Sequence, residues 1–206
     1  MSLKLLIIRH GETYSNKEGK LDGQSDTQLT PKGIQQAKKL SKIIEKEKIT
    51  KVYCSPLKRS YDTVNISTSH NNQQIEIEKS LIEINCGKCT LMSISQITNL
   101  YPKLIQGWAD LSDPRFPNGE NLKDVQVRVI PFIKKIISQH KSGTILIGGH
   151  GAVNIAILGY FLNIPQGLCW KIEQENCCLN EIFIDSDGFK IKKINYTCHL
   201  GVLKKS

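Results

Sequence analysis

The chain has 206 residues, a formal net charge of +9, 39% hydrophobic residues and 23% charged residues. This balance supports one folded core and excludes an intrinsically disordered chain. Seven cysteines, at 54, 86, 89, 169, 177, 178 and 198, are odd in number and unevenly spaced. With no secretory signal recognisable, they read as reduced thiols of a cytoplasmic protein rather than a disulfide framework.

The run from Met1 to Ile8 leads straight into Arg9-His10. It is too short to cross a membrane, and its near-continuous apolar stretch Leu3–Ile8 predicts a strand buried on both faces. Between Pro31 and about Lys48, apolar positions Ile34, Ala37, Leu40, Ile43 and Ile44 recur at helical spacing. Thr30 is the expected N-cap there, with Pro31 in the first helical position. Lys51–Cys54 predicts a second strand, and Ser55-Pro56 the opening of a helix to about Ser67. Residues 80–119 predict short helices around Ile94 to Tyr101, broken by Pro102, Pro114 and Pro117. A longer helix is expected from about Asn121 to His140, kinked or divided at Pro131. Thr144–Gly148 predicts a buried strand, followed by a helix from about Val153 to Phe161. Finally, Leu179–Ile184 and Phe189–Ile194 flank Asp185-Ser186-Asp187-Gly188, a hairpin signal.

This alternation predicts α/β layering in a single domain, 1–206. Cys86-Gly87-Lys88-Cys89 has the C-x-x-C form but no second pair at zinc spacing, so no metal site is expected. The lysines are dispersed and accompany no recognition motif, so neither nucleic acid nor membrane is expected as a partner. A net positive charge does favour anionic small molecules. The three expected strands 3–8, 51–54 and 144–148 each end in a polar loop: Arg9-His10-Gly11-Glu12, Ser55 to Arg59, and His150-Gly151. Ligand sites of open α/β sheets lie outside the carboxyl ends of the strands, so these loops are expected to converge on one crevice.

A lone histidine after a strand is ordinarily a structural hydrogen-bonder. Here, however, Arg9-His10-Gly11-Glu12-Thr13 followed by Asn16 resembles the signature of the histidine phosphatase superfamily, the phosphoglycerate mutase-like family. The resemblance continues in order through Gly23, Asp26, Leu29-Thr30, Gly33 and Gln36-Ala37, then Ser55-Pro56-Leu57-Lys58-Arg59-Ser60 with Thr63. It goes on through Leu81-Ile82-Glu83 with Gly87, Pro117-Asn118-Gly119-Glu120, and Gly149-His150-Gly151.

The resemblance implies a three-layer α/β/α fold with a mostly parallel central sheet. It also implies a phosphatase that carries its phosphoryl group on His10. Neutral imidazole offers a lone pair near neutral pH, and the planar forks of Arg9 and Arg59 suit phosphoryl oxygens. The ring nitrogen not used for attack would be held by a backbone carbonyl near Gly11. His150 is implied as a further donor, and Asn16, Gly23, Gln24 and Gly151 as phosphate- or substrate-binding positions. Glu83 is implied as the general acid and base, with Glu76 and Glu78 as neighbouring carboxylates. No cofactor or metal is implied, since arginine and histidine supply the charge. The expected partner is a small phosphorylated metabolite, a homodimer is left open, and residues 84–120 are expected to form a substrate lid.

Two segments depart from the family pattern: Cys89-Thr90-Leu91 after Gly87, and Ala152-Val153-Asn154-Ile155 after the second histidine. They leave the phosphoryl-handling residues in place and leave the substrate undefined. Between Glu83 and Trp108 the only cations are Lys88 and Lys103, which favours hydrolysis over a phosphoglycerate mutase. A non-catalytic phosphate-binding module is the third alternative.

Overall fold

Leu3–Arg9 forms strand β1, and its side chains divide between two cores. Leu3, Leu5 and Ile7 join one buried cluster, while Leu6 and Ile8 join another on the opposite face. That alternation places β1 inside a sheet covered on both sides. The computed structural model describes residues 2–70 and 73–201; Met1, the start of the N-terminal apolar run, lies outside them.

Strands β2 (Ile49–Cys54), β3 (Ile75–Ile77), β4 (Gly143–Gly149), β5 (Leu179–Asp185) and β6 (Gly188–Tyr196) complete the sheet. The order is β3-β2-β4-β1-β5-β6. The first four strands run parallel, and β5 is antiparallel to both β1 and β6. The sheet is therefore mixed and mostly parallel, as expected. Asp185 pairs with Gly188 across the anticipated hairpin turn.

Among the described residues there are eight α-helices: α1 (Tyr14–Lys17), α2 (Pro31–Ile44), α3 (Lys58–Thr68), α4 (Ile94–Leu100), α5 (Pro102–Ala109), α6 (Leu122–Gln139), α7 (Gly151–Leu162) and α8 (Gln166–Cys169). Ala37, Leu40 and Ile44 of α2 and Val64 of α3 pack with Leu6, Val52 and Leu146 on one face. Val125, Val129 and Ile133 of α6 and Val153, Ala156 and Ile157 of α7 pack with Leu5, Ile145 and Ile147 on the other. These three layers match the α/β/α expectation.

Several boundaries differ from the sequence reading, each for a local reason. Helix α2 stops at Ile44 rather than Lys48, in a turn through Glu45 and Lys46. Helix α3 opens at Lys58 rather than Ser55, because the Ser55 hydroxyl is engaged elsewhere. Pro102 begins α5 instead of only breaking the preceding helix; it occupies the first helical position, where its missing N–H removes no bond. Pro131 sits inside an unbroken α6 capped by Asn121, whose side chain accepts from Asp124 N–H at 3.1 Å. Helix α7 starts at Gly151, two residues before the expected Val153, with His150 at its N-cap.

The loop after β1 lies against the start of α2. Glu12 N–H donates to Gln36 Oε1 at 2.9 Å, and Thr30 N–H donates to the Glu12 carbonyl at 2.8 Å. Two glycines make this crossing possible: a Cβ on Gly33 would stand 2.2 Å from the Glu12 carbonyl oxygen, and one on Gly11 2.6 Å from the Gly33 carbonyl oxygen. Backbone on both sides leaves nothing flexible to give way. Gly33→Ala is expected to destabilise the fold by about 2 kcal/mol or more, read as a lowered urea midpoint at unchanged m. An unchanged midpoint would show that the crossing is not tight.

Candidate active site

The carboxyl ends of β2, β4 and β1 lie side by side in the sheet, and they bring together Ser55 to Arg59, His150 and His10. His10 follows β1 and is buried. Its Nδ1 lies 2.8 Å from the Gly11 carbonyl oxygen. A carbonyl only accepts, so Nδ1 carries the proton and donates, leaving the Nε2 lone pair directed into the site.

Arg59, on the first turn of α3, is fully buried. Its Nε donates toward His10 Nε2 at 3.3 Å, and its two terminal nitrogens donate to the carbonyls of Gly23 (2.7 Å) and Ser25 (2.5 Å). Thr63, one turn further along α3, accepts from Gly11 N–H at 3.0 Å and so ties this helix to the histidine loop. Arg9 donates through Nη1 to the Gln174 carbonyl, while its Nε is buried without a protein partner.

The His150 ring centroid lies 5.2 Å from that of His10. Its Nε2 is 2.7 Å from Ser55 Oγ, which accepts from Leu57 N–H at 3.3 Å. His150 Nδ1, the other ring nitrogen, is a buried atom with no protein partner.

Glu83 enters on a loop clamped from two sides. Gln24 Nε2 donates to its carbonyl at 2.9 Å, and Arg128 Nη2 donates to the same carbonyl at 3.1 Å. Arg128 also grips Glu120 through Nε at 3.0 Å and Nη2 at 3.2 Å, and Glu120 accepts from Asn85 N–H at 2.8 Å. The Glu83 carboxylate oxygens accept from Ile84 N–H (2.8 Å) and, at the N-terminus of α7, from Ala152 N–H (3.4 Å).

Burial sets the protonation states. It holds His10 and His150 well below the ordinary imidazole value, with the nearby positive charges adding to the effect. It pushes Glu83 up, against the opposing pull of backbone hydrogen bonds and of Arg59 and Arg9. The same burial thus moves the imidazoles and the carboxyl in opposite directions, each toward its neutral form.

A cavity of about 240 Å3 opens beside these groups, lined by Arg9, His10, Asn16, Gly23, Glu83 and Gly151 among others. Arg59 and His150 are buried next to His10 rather than on the cavity wall. Gln24, expected at the substrate, instead holds the Glu83 loop. Asn16 reaches the cavity, but one amide hydrogen goes to Asp22 at 3.0 Å, and its oxygen accepts from Thr13 N–H and Asn176. The alternative carboxylates lie away from the cavity: Glu76 pairs with Lys51, and Glu78 caps Ser80 N–H at 2.8 Å. Cys86 and Cys89 are buried free thiols, both raised by burial, and Cys86 lines the cavity. Asp22, Arg128, Trp108, Trp170 and Gln174 also build the site, although no motif in the sequence singled them out.

The depressed histidines have a stability consequence. A group whose folded pKa lies below its unfolded value contributes stability above the unfolded pKa, and that stability is lost as pH falls toward the folded one. His10 and His150 should therefore weaken the fold as pH drops below about 6.5. Glu83, being raised, acts the other way: its contribution is present below its unfolded pKa and lost as pH rises through the folded one. His10→Gln removes one histidine term and leaves Glu83 in place. Urea titrations from pH 7 to pH 5 should show the variant losing less stability than the parent by up to about 2 kcal/mol. Equal losses would show that His10 does not titrate low.

Comparison with known proteins identifies the family. Residues 5–197 match the histidine phosphatase superfamily (branch 1). The chain is 29% identical over 202 residues to phosphoserine phosphatase 1 of Hydrogenobacter thermophilus, covering 97% of this chain and 95% of that one. It is 26% identical over 185 residues to a probable phosphoglycerate mutase of an Enterobacter species, covering 87% of this chain and 84% of the relative. Among solved structures, the YhfR protein of Bacillus stearothermophilus superposes with a TM-score of 0.88 at 27% identity, covering 96% of this chain and 99% of that one. The chain belongs to the histidine phosphatase superfamily, branch 1.

Proposed function

We propose that this protein is a phosphatase that hydrolyses a phosphomonoester of a small metabolite through a phosphohistidine on His10. The observation that carries this reading is the arrangement around His10 Nε2. A lone pair fixed by the Nδ1 contact to Gly11 stands among cationic groups, and two buried nitrogens nearby, Arg9 Nε and His150 Nδ1, have no protein partner. Buried polar atoms left unpaired by the protein are expected to meet a ligand, here the equatorial oxygens of a phosphoryl group.

In the first step Nε2 attacks phosphorus in line, and the P–O bond to the leaving group breaks. Glu83, whose pKa burial raises, gives a proton to the departing oxygen. In the second step the Glu83 carboxylate takes a proton from water, and the water oxygen displaces His10 from phosphorus. Inorganic phosphate leaves, and both groups return to their starting states. Arg9 and Arg59 supply the positive charge, so this chemistry needs no metal. The whole chain acts as one domain, with residues 84–120 as the lid over the leaving group.

The named relatives include both phosphatases and mutases. Hydrolysis is favoured because, among the described residues, Lys20 is the only lysine on the cavity wall, while Lys88 and Lys103 are exposed elsewhere. A bisphosphorylated intermediate would lack a second cationic cradle.

Three variants test the mechanism through phosphate release. His10→Ala should abolish turnover of every ester, and an acid-labile phosphoryl group should be trapped on His10 in the parent. Glu83→Gln should lower kcat by about 10²- to 10⁴-fold on alkyl esters, with a smaller loss on p-nitrophenyl phosphate, whose leaving group needs no proton. Turnover surviving His10→Ala would sink the mechanism. Isomerisation of 3-phosphoglycerate in the presence of its bisphosphate, without net phosphate release, would replace hydrolysis by mutase chemistry.

A further inference from the structure

Beyond the phosphoryl end, the cavity has a second wall that the two chemical steps do not use. Trp108 at the end of α5, Phe116, Trp170 after α8 and Ile155 of α7 line it. Trp108 stands edge-on to Phe116 with ring centroids 5.4 Å apart and lies 6.1 Å from Trp170. The wall is anchored rather than loose. Trp170 Nε1 donates to Asp113 Oδ1 at 3.3 Å, and the Asp113 carboxylate also accepts the N–H groups of Leu122 and Lys123 at 2.9 and 3.0 Å at the start of α6.

Two of the polar side chains facing the same space, Gln174 and Asp22, are already committed inside the protein. Gln174 Oε1 accepts from Asn154 (3.1 Å) and Asn180 (2.7 Å), and its Nε2 donates to the Glu173 carbonyl and Asn180 Oδ1, both at 2.9 Å. The Asp22 carboxylate accepts from Thr13 (2.8 Å), Asn16 (3.0 Å) and Thr27. Lys20 pairs with Glu18 at 2.7 Å in a solvent-exposed contact. On this wall the uncommitted donor is Trp108 Nε1, a buried atom with no protein partner.

We infer that the leaving group is a planar, largely apolar body seated against Trp108, Phe116 and Trp170, with Trp108 as the specificity-determining residue. This rests on the phosphatase reading of the same site. Aromatic walls reward apolar planar groups, whereas an anionic group such as a carboxylate brought to their faces loses its water without a replacement partner. A zwitterionic phosphoamino acid is therefore a poor fit. Its ammonium would have to compete for Asp22 or pair with Glu83, and pairing with Glu83 would favour the ionised carboxylate and remove the proton needed by the leaving oxygen. A neutral, apolar leaving group meets no such conflict.

The test compares 2-phenylethyl phosphate with O-phosphoserine, both of which release primary alcohols. The full-length enzyme should show a kcat/KM at least ~10-fold higher for the phenylethyl ester. Trp108→Ala should shrink that ratio toward one, mainly through KM. Trp108→Leu, which keeps apolar bulk but not the ring, should give an intermediate ratio and serves if the alanine variant does not fold. Calorimetric binding of 2-phenylethylphosphonate over methylphosphonate reads the wall without turnover. Equal or faster cleavage of phosphoserine, or a ratio unchanged by both substitutions, would overturn the inference while His10→Ala still abolished turnover. Phosphate release that persisted in His10→Ala would instead sink the phosphatase reading on which it rests.

Discussion

The site depends on keeping one imidazole neutral, with a lone pair available, amid positive charge. Burial and the guanidinium groups of Arg59 and Arg9 all disfavour a protonated His10. The Gly11 carbonyl then decides which nitrogen holds the remaining proton. For that carbonyl to face back on its own neighbour, the loop after β1 must curl tightly, and the Gly11–Gly33 crossing lets it do so. The carbonyl of His10 is fixed from the other side by Cys177 N–H at 3.1 Å and Asn176 Nδ2 at 3.2 Å. His10 is positioned by backbone contacts along the whole loop, so in the proposed attack its orientation costs little reorganisation.

The acid poses the opposite problem. Two arginines pull the Glu83 carboxyl toward ionisation, yet desolvation is the larger influence and its pKa is raised. That balance holds only while the loop carrying Glu83 stays in place. Gln24 and Arg128 converge on one carbonyl, and Arg128 is itself held by Glu120. The Gly119-Glu120 motif thus acts at a distance: it secures the acid's loop rather than touching the cavity.

Much of this was legible from the residues. β1 read correctly because its apolar run is near-continuous, and the first helix because Thr30 and Pro31 give it an unambiguous start. The convergence of His10, Arg59 and His150 followed from loops placed at strand ends. What escaped had physical reasons. Ser55 looks like a helix opener, but its hydroxyl goes to His150, and α3 begins three residues later. Gly151 and Ala152 gave no helical signal, yet the end of β4 with His150 as N-cap starts α7 there. Gln24 sits in a signature segment that suggested ligand contact, although its length lets it reach the Glu83 carbonyl. Trp108 and Trp170 lie far apart in sequence and meet only through tertiary packing, which no local pattern encodes.

The two ends of the cavity are built from different parts of the chain. Strand ends, with Arg9 on the wall and Arg59 buried behind His10, build the end proposed to hold the phosphoryl group, while α5, Phe116, α7 and the turn after α8 build the other. This separation explains why the reaction can be read from a few residues and the substrate cannot. It also bears on the net charge of +9. Surface lysines act at a range that salt screens within about 10 Å, so they influence approach more than recognition. Arg59 is withdrawn from that screening. On the proposed reading, the strength of phosphoryl binding is therefore set by a few donors with fixed directions, and the excess of lysine outside has little part in it.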